Sequence, residues 1–155
     1  MDPGMSTTIL LENAAVLDGR ADTALPGHHV LVEDGLIREV SDRPIAAPAG
    51  ARRIDLAGRT LMPGLIDAHV HVVAAMPDLG RNAMLPDALV AYHAQKIMHG
   101  MLMRGFTTVR DVGGATFALK LARDQGLITA PRLSLSGKAL SQTGGHTDYR
   151  GRYDA

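Results

Sequence analysis

Two hydrophobic patterns share this chain, and one gives way to the other near residue 62. Before that point apolar residues come in short runs broken by turn formers, which predicts strands. Residues 8–12 and 14–18 are two such runs around Asn13, and residues 29–33 and 36–40 flank Asp34-Gly35. An Asp-Gly pair between apolar runs supplies the positive φ angles of a two-residue hairpin turn. After a Pro/Ala-rich loop at 44–51, residues 53–56 and 59–61 predict a further pair of strands around Gly58. A cluster of this kind cannot close a core alone.

From Leu61 onward the pattern alternates between strand and helix. Residues 87–104 carry Ala88, Ala91, Tyr92, Ile97, Met98, Met101 and Leu102 at helical spacing, with Gly105 as the stop. A strand over 106–112, a helix over 115–125 ended by Gly126, and a strand over 132–136 follow. Strands that alternate with helices argue for a parallel βα architecture. Met98, Met101 and Met103 read as packing residues of the first helix, since methionine fills irregular core gaps.

Composition narrows the chemistry. Sixteen basic and sixteen acidic residues balance, so no attraction to nucleic acid or to an anionic membrane is implied. Hydrophobic residues make up 46%, which fits a packed domain rather than a disordered tail. Aromatics are only 3% and Trp is absent, so the core must be built from Leu, Val, Ile, Ala and Met. Cysteine is absent too, which excludes disulfides and thiolate metal sites. No run approaches the ~18 apolar residues of a membrane span. The N-terminus lacks a basic segment followed by an apolar one, so a cytoplasmic location is expected.

The chemistry concentrates in Met62-Pro63-Gly64-Leu65-Ile66-Asp67-Ala68-His69-Val70-His71. Side chains two apart on a strand share a face, so His69 and His71 point together while Val70 points away. Two such imidazoles can chelate one metal ion. Asp67 faces the same side, either as an acceptor that orients an imidazole or as a turn-capping carboxylate. An isolated pair of histidines is more often packed or exposed than ligating, so the surrounding residues decide.

Those residues resemble the first-strand signature of the amidohydrolase superfamily, metal-dependent hydrolases built on a (β/α)8 barrel. Gly105-Phe106-Thr107-Thr108-Val109-Arg110-Asp111-Val112-Gly113-Gly114 is similar to its second strand. Pro131–Gly137 and Leu140-Ser141-Gln142-Thr143-Gly144-Gly145-His146-Thr147-Asp148 resemble the third strand and loop of a narrower branch. That branch holds the Xaa-Pro dipeptidase-like and imidazolonepropionase-related hydrolases. The resemblance implies an α/β fold: the N-terminal part of a (β/α)8 TIM barrel at 63–155, preceded by part of a small β-sandwich at 1–62. A complete barrel needs ~250 residues, so a chain of 155 reads as part of a longer enzyme and as inactive alone.

By the same resemblance His69 and His71 hold a divalent metal, zinc by preference, as one or two ions. The metal makes a hydroxide nucleophile from bound water. His146 is the catalytic candidate, an electrophile at the substrate carbonyl, although Thr147 stands where the family often has glycine. Lys138 follows the third strand, whereas the bridging carboxylated lysine of the family belongs to the fourth, so it is not assigned that role. The remaining ligands and the proton-handling aspartate come from later strands. Arg110 and Asp111 are expected to form an ion pair that ties the barrel. Tyr149 and Arg150 read as an exposed loop pair, and His28, His29, His93 and His99 as idle.

The activity implied is hydrolysis of an amide or peptide C–N bond in a dipeptide or N-acyl amino acid, Xaa-Pro type included. The alternatives are a cyclic-amide hydrolase or deaminase of the same superfamily, and a non-catalytic fragment that needs a partner chain. The expected partner is a small-molecule substrate, without nucleic acid or membrane, and homo-oligomer formation is compatible with the sequence.

Overall fold

The computed structural model describes residues 8–150. The chain divides into two compact units, residues 1–63 and 64–155, and each is described by itself.

The first unit is one five-stranded sheet formed by β1 (Thr8–Val16), β2 (Leu25–Glu33), β3 (Leu36–Ser41), β4 (Arg52–Asp55) and β5 (Thr60–Leu61). β2 and β3 form the antiparallel hairpin expected from Asp34-Gly35, whose φ angles are +51° and +77°. Both turn residues have φ > 0, which matches the right-handed twist of the flanking strands.

Two details differ from the sequence reading. Residues 8–16 form one strand, because Asn13 (φ +54°) makes a bulge rather than a turn. Its side chain donates to Asp55 Oδ1 at 3.0 Å, so the bulge is held from the neighbouring strand. β4 and β5 do not pair with each other; each runs parallel to β1. Ala57 and Gly58, at φ +49° and +81°, form a jog opposite Asn13, and Gly58 donates to the Asn13 carbonyl at 2.7 Å. The two irregularities match, so pairing with β1 resumes beyond them. Leu10, Leu31 and Ile45 bury one face of the sheet, with Ile45 supplied by the Pro/Ala-rich loop. Ala14, Val16 and Val30 form the other cluster.

The second unit is a three-stranded parallel sheet in the order β6 (Leu65–Val70), β7 (Phe106–Asp111), β8 (Arg132–Leu135). Helix α1 (Leu79–Ala83) and helix α2 (Asp87–Met103) lie between β6 and β7, and helix α3 (Phe117–Asp124) lies between β7 and β8. α1 was not expected from periodicity, being little more than one turn. Its start is legible in retrospect: Asp78 caps it by accepting from the Arg81 N–H at 3.0 Å. α3 ends where Gly126 adopts φ +72°. There Gly126 N–H meets Arg123 O at 3.0 Å and Leu127 N–H meets Ala122 O at 2.8 Å, a Schellman pair that satisfies two orphan carbonyls.

Val70, Val109 and Leu133 share the helix-facing side of this sheet. They pack with Val72, Ala115, with Ala94 and Met98 of α2, and with Leu119 of α3. Ala94 and Met98 are four apart on a helix and so lie on one face. Burying each large aliphatic side chain contributes about 1.5–3 kcal/mol, so this layer sets the position of the strands. The strand ends then set the position of the site.

Candidate metal centre

His69 lies one residue before the end of β6, and His71 follows its last residue. Both side chains are exposed on the side of the sheet away from α2 and α3. Their ring centroids lie 5.5 Å apart at an interplanar angle of 76°.

The His71 ring has a defined partner. Its Nδ1 lies 3.0 Å from the carbonyl oxygen of Gly113. A carbonyl can only accept, so Nδ1 is the donor here, and in the neutral ring the lone pair is left on Nε2. This is the arrangement in which metal-binding imidazoles are found, with one nitrogen donating to a carbonyl and the other free to ligate. Gly113 stands close against that ring: a Cβ added to it would sit 3.6 Å from His71 Cε1.

Asp67, with two readings left open by the sequence, accepts from the backbone N–H of His69 at 3.0 Å. It shapes the backbone next to a candidate ligand rather than gripping a ring. The loop after β6 is fastened separately by Asn82 of α1, which accepts from Ala75 N–H at 2.9 Å and donates to Val73 O at 3.1 Å. Sequence reasoning passed over Asn82, because nothing in a five-residue helix announces which face it presents.

The expected Arg110–Asp111 ion pair is not formed. Consecutive strand residues face opposite ways, and here they part completely. Arg110 donates through Nε to the carbonyl of Ala68 at 2.9 Å, bridging β7 to β6. Asp111 is fully buried and accepts from three backbone N–H groups: Val72 at 2.7 Å, Gly113 at 3.0 Å and Ala115 at 3.1 Å.

His146 sits on the loop after β8, and with His69 and His71 it lines one cavity of about 650 Å³. Lys138, Thr147 and Tyr149 also line that cavity. The Gly144-Gly145 pair explains the loop. Gly144 adopts φ +70°, and a Cβ on Gly145 would collide with the Ser141 side chain and lie 2.8 Å from Gln142 O. One glycine is needed for its dihedral angle and the other for space. Asp148 then accepts from Gly144 N–H at 2.9 Å and pairs through both oxygens with Arg150 at 2.7 and 2.9 Å. The guanidinium, helped by that N–H, holds the Asp148 carboxyl well below the usual aspartate range. Arg150 therefore answers Asp148, and Tyr149 rather than Arg150 is a wall of the cavity.

Among the described residues no group of three or more His, Cys, Asp or Glu gathers into a metal cluster. The donor set is a pair of imidazoles, one with its tautomer fixed. Two imidazole nitrogens fit a borderline divalent ion such as zinc, although a catalytic zinc site ordinarily uses three protein ligands. His93 and His99 lie on α2, away from this pair.

A parallel βα sheet with paired histidines at the end of its first strand defines the class of barrel hydrolases, whose active sites are built at that end. Residues 60–154 match the model of the amidohydrolase family, and the chain belongs to that family. A crystal structure of an amidohydrolase is 55% identical, with a TM-score of 0.88 over 96% of this chain and 36% of that one. A prolidase solved with N-methylphosphonate-L-proline is 48% identical, again with a TM-score of 0.88 over 96% of this chain and 36% of that one. Among curated relatives, a dihydroorotase of Pelobacter propionicus is 42% identical over 66 residues, 41% of this chain and 15% of the relative. The chain thus spans little more than a third of the solved structures it matches and less of the curated relatives. The fold expected from the resemblance, the N-terminal part of a TIM-barrel amidohydrolase, is the fold observed. No helix among the described residues is long and apolar enough to cross a membrane.

Proposed function

We propose that the protein containing this chain is a metal-dependent amidohydrolase that cleaves the C–N bond of a small dipeptide or N-acyl amino acid. The observation that carries this reading is the gathering of His69, His71 and His146 on one cavity at the strand ends. The substrate class is supported by the prolidase, which is alike over nearly the whole chain and was solved with a proline phosphonate.

In this reading His69 and His71 hold the metal, His71 through Nε2. A divalent ion there supplies Lewis acidity and lowers the pKa of water into the neutral range. The chain's own residues then set geometry. The Gly113 carbonyl keeps the His71 proton on Nδ1 and the ring in one orientation. Asp67 holds the backbone of His69. His146 donates toward the carbonyl oxygen of the scissile amide, where charge develops as the carbon becomes tetrahedral. Tyr149 bounds the space for the substrate side chain. Two imidazoles are fewer than the three protein ligands a catalytic zinc site ordinarily uses, so activity is proposed to need further ligands beside this pair.

A second reading, hydrolysis of a cyclic amide, is favoured by the dihydroorotase match. A panel of Xaa-Pro and other dipeptides run beside cyclic imides and lactams, on the full-length protein with added zinc, separates the two. Turnover of dipeptides with little turnover of rings is expected. The reverse preference overturns the substrate assignment and leaves the family unchanged.

A further inference from the structure

We infer that Asp111 is a positioning residue for the metal site, acting on His71 from the opposite side of the sheet. The inference builds on the proposed reading of His71 as a ligand. Asp111 is fully buried, and its carboxylate is surrounded by backbone N–H donors rather than by a cation. A buried carboxylate is costly unless its oxygens are satisfied, and three N–H groups satisfy these.

The identity of the donors is the point. Oδ2 receives the N–H of Val72, the peptide that begins at His71. Oδ1 receives the N–H of Gly113 and of Ala115. Gly113 presents its carbonyl to His71 Nδ1. One carboxylate therefore fixes the backbone under His71 and also the residue whose carbonyl fixes the His71 ring. Backbone position and ring tautomer are set by the same side chain, although Asp111 touches neither imidazole. Charge-assisted hydrogen bonds are about twice as strong as neutral ones, and only a carboxylate offers acceptors to all three donors. An asparagine in its place turns an NH2 toward at least one N–H, opposing donor to donor.

The test compares Asp111→Asn with Val109→Ala in the full-length protein. Val109 is equally buried on the same strand but lies outside this hydrogen-bond chain, so it controls for lost packing. Two readouts are taken on the folded fraction: cobalt(II) affinity by absorption titration, and the His71 tautomer by nitrogen NMR of the metal-free protein. Expected is an Nδ1–H tautomer in the wild type and in V109A, a mixed tautomer in D111N, and cobalt affinity lowered about 10–100-fold in D111N alone. An unchanged tautomer and affinity in D111N overturn the inference. Should D111N fail to fold, Asp111→Glu, which keeps both acceptor oxygens but displaces them, takes its place: a mixed tautomer with weakened cobalt binding supports the inference, and wild-type values for both overturn it. A tautomer that shifts in D111N while even the wild type binds no cobalt supports the positioning and overturns the reading of His71 as a ligand.

Discussion

The two faces of the β6–β7–β8 sheet are made of the same strands and do opposite work. On one, Val70, Val109 and Leu133 are buried against α2 and α3. On the other, His69, Arg110 and Ser134 are exposed. Period-two alternation assigns each residue to a face, so one strand carries stability and chemistry on successive residues. Asp111 is the instructive exception: a charged group on the apolar face, tolerated because backbone N–H groups surround it. The difference teaches that residues exposed at a strand end can be held from behind, through backbone, by a buried layer on the other face.

The comparison can be broken from either side. The largest effect is expected from His71→Ala on the site face, which should lower kcat/KM by more than ~100-fold, since loss of groups that only orient a ligand already costs 10–100-fold. The melting temperature of the metal-free variant should move little, as the side chain is exposed. A collapse in stability would mean that His71 belongs to the core. Leu133→Ala on the buried face should do the converse. It should cost about 2–5 kcal/mol in a denaturant melt while activity per folded molecule falls far less than in His71→Ala.

The smallest effect concerns the loop that carries His146. The folded pKa of Asp148 lies below its ordinary value of 3.8. Its pairing with Arg150 and Gly144 is therefore complete above that value and is lost only as pH falls through the lower folded pKa. Protection of the Gly144 amide, followed by hydrogen exchange, should persist through pH 3.8 in the wild type and be weakened at every pH in Asp148→Asn. Equal protection in both would detach Asp148 from the order of this loop.

Much of this was readable in the residues, for physical reasons. Asp34-Gly35 demands a hairpin, Gly105 and Gly126 end helices, and His-x-His on a strand places two rings together. What the sequence concealed was where backbone groups find partners. Asn13 looked like a turn because it breaks an apolar run, yet it is a bulge matched by Ala57-Gly58 across the sheet. Strands β4 and β5 looked like a pair because they are adjacent in sequence, yet both pair with β1. Asp111 looked like half of an ion pair because an arginine precedes it. Its three partners are main-chain N–H groups, two of them nearby in sequence and one contributed by Val72 across the sheet, and no pattern of side chains records them.

The central claim is that His69 and His71 hold a divalent metal. Elemental analysis of the full-length protein as purified, beside a variant carrying His69→Ala and His71→Ala, tests it most directly. At least one divalent ion per wild-type chain, lost in the folded variant, is the result expected. Equal metal content in the two proteins would contradict it.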